Sequence, residues 1–197
     1  MLFRSRRKLL EAGVAAPILA ALFASKPSVA EAVKASQSAA SGSTVVPADE
    51  ALFSSGQLKT LDAVQMQLFP DDGDGPSARD LQALSYLEGA MTDPDNIDDG
   101  DPVFIGKGIG WLDDMARRMH QTNFVELSDA QQDAVLRQIA KTKAGENWLS
   151  LLMYYLTEAL LLDPIYGGNP EMIGWNWLEH QAGFPRPIAG RTYRDFE

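Results

Sequence analysis

Residues 148–162 read WLSLLMYYLTEALLL, and how this run folds decides the architecture of the chain. Trp148, Leu152, Tyr155, Ala159 and Leu162 recur at spacings of four and three, which lines up one helical face. Leu149, Leu151, Leu156, Leu160 and Leu161 fill most of the remaining circumference, and Thr157 and Glu158 interrupt its middle. A helix that is apolar all round is covered by neighbours on every side. Fifteen residues span about 22 Å, short of the ~20 residues that a bilayer demands. The run is therefore expected to be a core helix, not a membrane span.

Pro164 ends that helix at Asp163, because it restricts the residue before it and has no N–H to donate. A loop rich in glycine and tryptophan follows: Asp163-Pro164-Ile165-Tyr166-Gly167-Gly168-Asn169-Pro170, then Gly174-Trp175-Asn176-Trp177, then Gly183-Phe184-Pro185. Paired glycines permit positive φ and close backbone approach, so the loop reads as specified in shape. Its tryptophans either plug the core or anchor a partner.

Upstream, helices are legible from their caps and apolar stripes. The first is expected from Ser54 or Ser55 to Leu68, capped by Ser55, with Leu58, Leu61, Val64 and Leu68 facing inward. Ser77-Ala78-Arg79-Asp80 resembles a capping box and opens a second helix, with Leu81, Leu84, Leu87 and Met91 as its stripe. Thr92–Asp101 reads as a solvated acidic loop. A calcium-binding template started at Asp95 puts Ile97 at its third position and Gly106 at its twelfth, so it fails. Gly106-Lys107-Gly108-Ile109-Gly110 has Trp111 where a dinucleotide-binding turn needs glycine, and no βαβ pattern surrounds it. It reads as a flexible lead into a helix carrying Ile109, Leu112, Met115 and Met119. Ser128-Asp129-Ala130-Gln131 is a second capping box, whose helix is expected to reach about Lys143 with Ala130, Val135, Leu136 and Ile139 inside. Pro170 suits the first position of a short helix bearing Ile173, Trp175 and Leu178. With no sustained strand alternation, the chain is expected to be all-α, with about five main helices over residues 51–187 and an extended tail over 188–197.

The N-terminus has the three-part form of an export signal over residues 1–32. Arg4 to Lys8 make a basic head, Ala12 to Ala24 a weakly apolar segment, and Ser28-Val29-Ala30 or Ala30-Glu31-Ala32 a small-residue cleavage site. Ser5-Arg6-Arg7-Lys8-Leu9-Leu10 looks like a twin-arginine motif, in which Arg6 and Arg7 carry the signal. Residues 33–50 are rich in alanine and serine and read as a flexible linker. The expected destination is the bacterial periplasm.

The formal charge is −10. Removing residues 1–30 takes away five basic groups and Glu11, leaving 12 basic against 26 acidic residues, or −14. Such a surface repels phosphate backbones and anionic lipid headgroups, so nucleic acid is not an expected partner. The chain has no cysteine, which excludes thiolate catalysis, disulfides, cysteine-ligated iron–sulfur clusters and the Cys-x-x-Cys-His attachment of haem c. His120 and His180 lack metal-ligand spacing. No Gly-x-Ser-x-Gly elbow points to a nucleophilic serine. No catalytic, cofactor or metal residue is therefore assigned. Two side chains keep an alternative open, a stand-alone secreted α-helical enzyme of hydrolase type. They are Glu158, an acid inside an apolar helix, and His180, beside the tryptophan-rich loop.

The C-terminal loop resembles the signature of the gluconate 2-dehydrogenase subunit 3 family, in which Asp-Pro-x-Tyr-Gly-Gly-Asn precedes Gly-Trp and a closing Gly-Phe/Tyr-Pro. Leu68-Phe69-Pro70 and Phe124-x-Glu126-Leu127-Ser128 leading to Gln131-Gln132-Asp133 match as well, so the resemblance runs from about residue 52 to 187. It implies a non-catalytic small subunit of a periplasmic FAD-dependent sugar-acid or polyol dehydrogenase, membrane-associated through its partners. Those partners are a catalytic flavoprotein carrying FAD and a cytochrome subunit carrying haem c. The small subunit would help fold, stabilise and export the flavoprotein through the twin-arginine translocase. On this reading Tyr166, Gly167, Gly168, Asn169, Gly174, Trp175, Trp177, Phe184 and Pro185 form the partner-binding loop.

Overall fold

A computed structural model describes residues 52–195. The export signal with Arg6 and Arg7, and the linker over 33–50, lie outside the described residues. Seven α-helices follow one another: α1 (Ser55–Leu68), α2 (Ala83–Ala90), α3 (Pro94–Asp98), α4 (Asp101–His120), α5 (Asp129–Ile139), α6 (Lys143–Leu161) and α7 (Ile173–Leu178). Short 3-10 turns join several of them, and the described residues contain no strand. Five are the main helices expected; α3 and α7 are the short ones.

The apolar run is the centre of the fold. Trp148, Leu151, Leu152, Tyr155, Leu156 and Ala159 are at most 1% exposed, and α6 packs against α1, α2, α4 and α7. The helix begins at Lys143, upstream of the apolar run, because the Thr142 side chain caps it by accepting from the Gly145 amide at 3.0 Å. It ends at Leu161 with Leu162 as its C-cap, as Pro164 requires. Among the described residues no helix is long and apolar enough to cross a membrane.

Polar side chains tie the helices together where the core meets them. Gln65 donates to the Ala83 carbonyl at 3.3 Å, joining α1 to α2. Gln132 donates to the Phe124 carbonyl at 3.1 Å and accepts from Gln67 at 3.1 Å, joining α5 to α1. Buried polar atoms left unpaired are costly, so these bonds fix the register of the packing.

Several sequence expectations are corrected. Ser54, not Ser55, caps α1, because Gln57 lies three residues on and closes the reciprocal box at 2.8 and 3.3 Å. The Ser77–Asp80 box does form, at 2.7 to 3.3 Å, but it holds only one turn. Gln82 is left-handed at φ 53°, so α2 starts at Ala83. The acidic loop contains α3, which Asp93 caps by accepting from the Asp95 amide at 3.1 Å. The glycine run 106–110 is not a flexible lead; it lies in the middle of α4, a 20-residue helix. A Cβ on Gly108 would overlap the Trp148 indole, whose Nε1 donates to the Ile105 carbonyl at 3.2 Å. Gly108 is thus the slot that seats the core tryptophan. Helix α5 stops at Ile139 rather than Lys143, and Ala130 is exposed while Gln132 turns inward.

Candidate functional site

The C-terminal loop is anchored from inside by Asn169, which is fully buried. Its Oδ1 accepts from the Gly174 amide at 2.7 Å, its Nδ2 donates to the Leu162 carbonyl at 3.3 Å, and its backbone amide donates to the Leu81 carbonyl at 3.1 Å. Asn169 holds φ 51°, a left-handed geometry that asparagine tolerates better than most residues. The glycines have steric reasons. A Cβ on Gly168 would stand 2.8 Å from the Ala159 backbone, and one on Gly174 would stand 2.7 Å from the Leu160 carbonyl oxygen. Gly167 turns the chain at φ 98°.

The two tryptophans are held differently. Trp175 is buried, and its Nε1 donates to the Leu161 carbonyl at 2.8 Å, satisfying a carbonyl that the end of α6 leaves free. Trp177 is half-buried. It meets Phe69 edge-on at 6.1 Å, and its Nε1 donates to the Asp74 carbonyl, pinning α7 to the start of the fold.

Beyond α7 the chain does not run out as an extended tail. It folds back as a strap, closed by an isolated bridge between Ile188 and Arg191 and a final 3-10 turn, Tyr193–Asp195. The Tyr193 ring lies 5.3 Å from that of Tyr166, and its hydroxyl donates to Asp93 at 3.4 Å. Arg186 donates to the Asp163 carboxylate at 2.7 Å and lies 5.3 Å over the Trp175 ring. That hydrogen bond from Arg186 holds the Asp163 carboxyl below the usual carboxylate range, against the opposing effect of burial.

A groove of about 960 Å³ opens between strap and body. Tyr166 and Trp175 form its inner side, the segment from Ala182 to Ile188 its outer side, with His180 and Arg191 also lining it. His180 stands edge-on to Trp175 at 5.4 Å. Phe184 is 98% exposed, and the Phe184–Pro185 peptide bond is cis.

The nine residues singled out from the sequence therefore divide. Gly168, Asn169, Gly174 and Trp175 are interior, Tyr166 and Trp177 are half-buried, and Gly167, Phe184 and Pro185 face outward. Sequence reasoning missed Asp163, Arg186 and Arg191 as parts of the site. The available signal was the three arginines, Arg186, Arg191 and Arg194, clustered in the last dozen residues of an acidic chain.

A second polar cluster lies within the core, away from the groove lining. Glu158 on α6 accepts from the Tyr86 hydroxyl at 3.0 Å, and Tyr155 donates to Asp101 at the start of α4. Burial first, and then these carboxylates, push the Tyr86, Tyr154 and Tyr155 hydroxyls well above the usual phenol range. The phenols stay protonated and act as donors that satisfy the carboxylates. Glu158 is thus engaged by Tyr86, and it is not among the residues that line the groove with His180. His120 has its Nε2 buried without a hydrogen-bond partner, while its Nδ1 lies 3.5 Å from the Gln131 amide.

In comparison with protein families, a model described as gluconate 2-dehydrogenase subunit 3 matches residues 55–183, from the first helix through the groove's inner side. No curated protein and no solved structure matches the chain.

Proposed function

Because the chain belongs to the gluconate 2-dehydrogenase subunit 3 family, we propose that it is the non-catalytic small subunit of a periplasmic FAD-dependent sugar-acid or polyol dehydrogenase. In this reading it supports the folding, stability and twin-arginine export of the catalytic flavoprotein. A c-type cytochrome subunit takes the electrons onward and holds the assembly at the membrane. The match across residues 55–183 carries the proposal. Two features agree with it. The inward carboxylates of Asp101, Glu158 and Asp163 are each engaged by a tyrosine or an arginine, which is structural work. A cysteine-free chain also has no thiolate with which to attach haem c.

Co-expression with the flavoprotein encoded in the neighbouring reading frame tests the proposal. The isolated chain is expected to be colourless and inactive, and to co-purify with a yellow flavoprotein when both are made together. Changing Arg6 and Arg7 to Lys is expected to leave both chains in the cytoplasm, measured by fractionation. Sugar-acid turnover by the isolated chain, or continued export of the partner, overturns the reading.

A further inference from the structure

Phe184 is the most exposed large apolar side chain of the described residues, at 98%, and Ile188, which lines the same groove, is exposed as well. Ile188 in the strap, Met172 before α7, and Ile165 and Tyr193 around Tyr166 are 37–58% exposed. Large apolar side chains left in water on one segment of fixed shape mark a place where another molecule sits. The patch is not a loose end. The strap that presents it is tied to the body by Arg186 on Asp163 and by Tyr193 on Tyr166 and Asp93. A surface already held in shape loses little freedom when a partner docks, which favours tight binding.

Charge narrows what that partner offers. The chain carries 27 acidic against 17 basic residues, yet the groove beside Phe184 is lined by Arg186, Arg191 and His180 against a single acid, Asp163. Arg186 already serves Asp163. Arg191 has no carboxylate partner among the described residues. A protruding ring beside an unspent guanidinium suits a protein surface with an apolar pocket rimmed by carboxylates. A small ligand would leave Phe184 in water.

We propose that Phe184 and Arg191 form the docking face for the catalytic flavoprotein, Phe184 entering an apolar pocket whose rim presents a carboxylate to Arg191. This rests on the subunit reading above and assigns it to residues 184–191, which follow the family-matched stretch. Interface energy concentrates in a few anchors of this type, whereas a rim charge acts chiefly on encounter rate and salt dependence.

The test uses the co-expressed complex, challenged with an excess of differently tagged wild-type small subunit, with exchange followed over time. Phe184→Ala is expected to exchange at least ~30-fold faster than wild type, the effect of losing a central anchor. Arg191→Glu is expected to slow association several-fold at low salt, with the difference shrinking as salt rises. Val103→Ala, at another exposed apolar position, is the control and is expected to behave as wild type. Because Phe184 is almost fully exposed, its variant is expected to melt with the wild type, which separates lost docking from lost folding. If wild type itself forms no complex, the subunit reading fails. If wild type forms one and both variants match it, only the docking face is refuted. A Phe184-dependent homodimer in sedimentation would likewise overturn the assignment, giving the face to a second copy.

Discussion

Asn169 does more for the C-terminal loop than any of the aromatic residues around it. One buried side chain serves the Gly174 amide and the Leu162 carbonyl together, in a left-handed conformation. Asn169→Ala removes both bonds, leaves the Gly174 amide and the Leu162 carbonyl without them, and keeps positive φ at a residue with no side-chain hydrogen bond to favour it. The expected loss is about 2–4 kcal/mol, read by chemical denaturation. Asn169→Gly is expected to recover part of it, because it relieves the dihedral and not the lost bonds. A loop of specified shape was legible from Gly-Gly-Asn itself. Its direction was not: that Asn169 points inward while Phe184 points outward depends on the Leu81 and Leu162 carbonyls, which adjacency in sequence does not reveal. Arg186 was obscure for the same reason, since its partner Asp163 sits 23 residues away across a fold-back.

Among elements, α4 shows most clearly where pattern reading stops. Three glycines in five residues resemble a flexible lead, since glycine weakens a helix interior. Here tertiary packing overrides that preference: the indole of Trp148, 40 residues on, fills the space above Gly108. The same observation separates the three glycines by experiment. Gly106 and Gly110 have nothing within 4 Å of an added Cβ, so alanine there is expected to stabilise by about 0.5–1 kcal/mol each. Gly108→Ala is expected to destabilise by about 1–3 kcal/mol, because the core tryptophan must shift. Thermal melts of the three variants measure this, and equal effects at all three positions would contradict the packing. The boxes at Ser77 and Ser128 were legible because each joins a serine to a residue three positions later. The strap's fold-back was not, because Tyr193 packs on Tyr166 and reaches Asp93, 100 residues away.

At the scale of the whole molecule, α2, α4 and α6 are bound by phenols donating to carboxylates, Tyr86 to Glu158 and Tyr155 to Asp101. Burial raises these phenols, and Tyr154 with them, above the ordinary value. A raised folded-state pKa means that the stability they confer is complete below the unfolded-chain value of about 10. It falls progressively as pH climbs beyond that. In an alkaline titration, the phenolate absorbance of these three is therefore expected to appear only together with loss of helical circular dichroism. Their ionisation while the helices persist would contradict the burial described.

The hydrogen bond from Trp177 to the Asp74 carbonyl and that from Tyr193 to Asp93 join parts of the chain 103 and 100 residues apart. Synthesis delivers the helices near Asp74 long before the residues that fasten them. The early helices therefore come together on their own apolar faces first, and these two bonds can close only after a hundred or more further residues have been made.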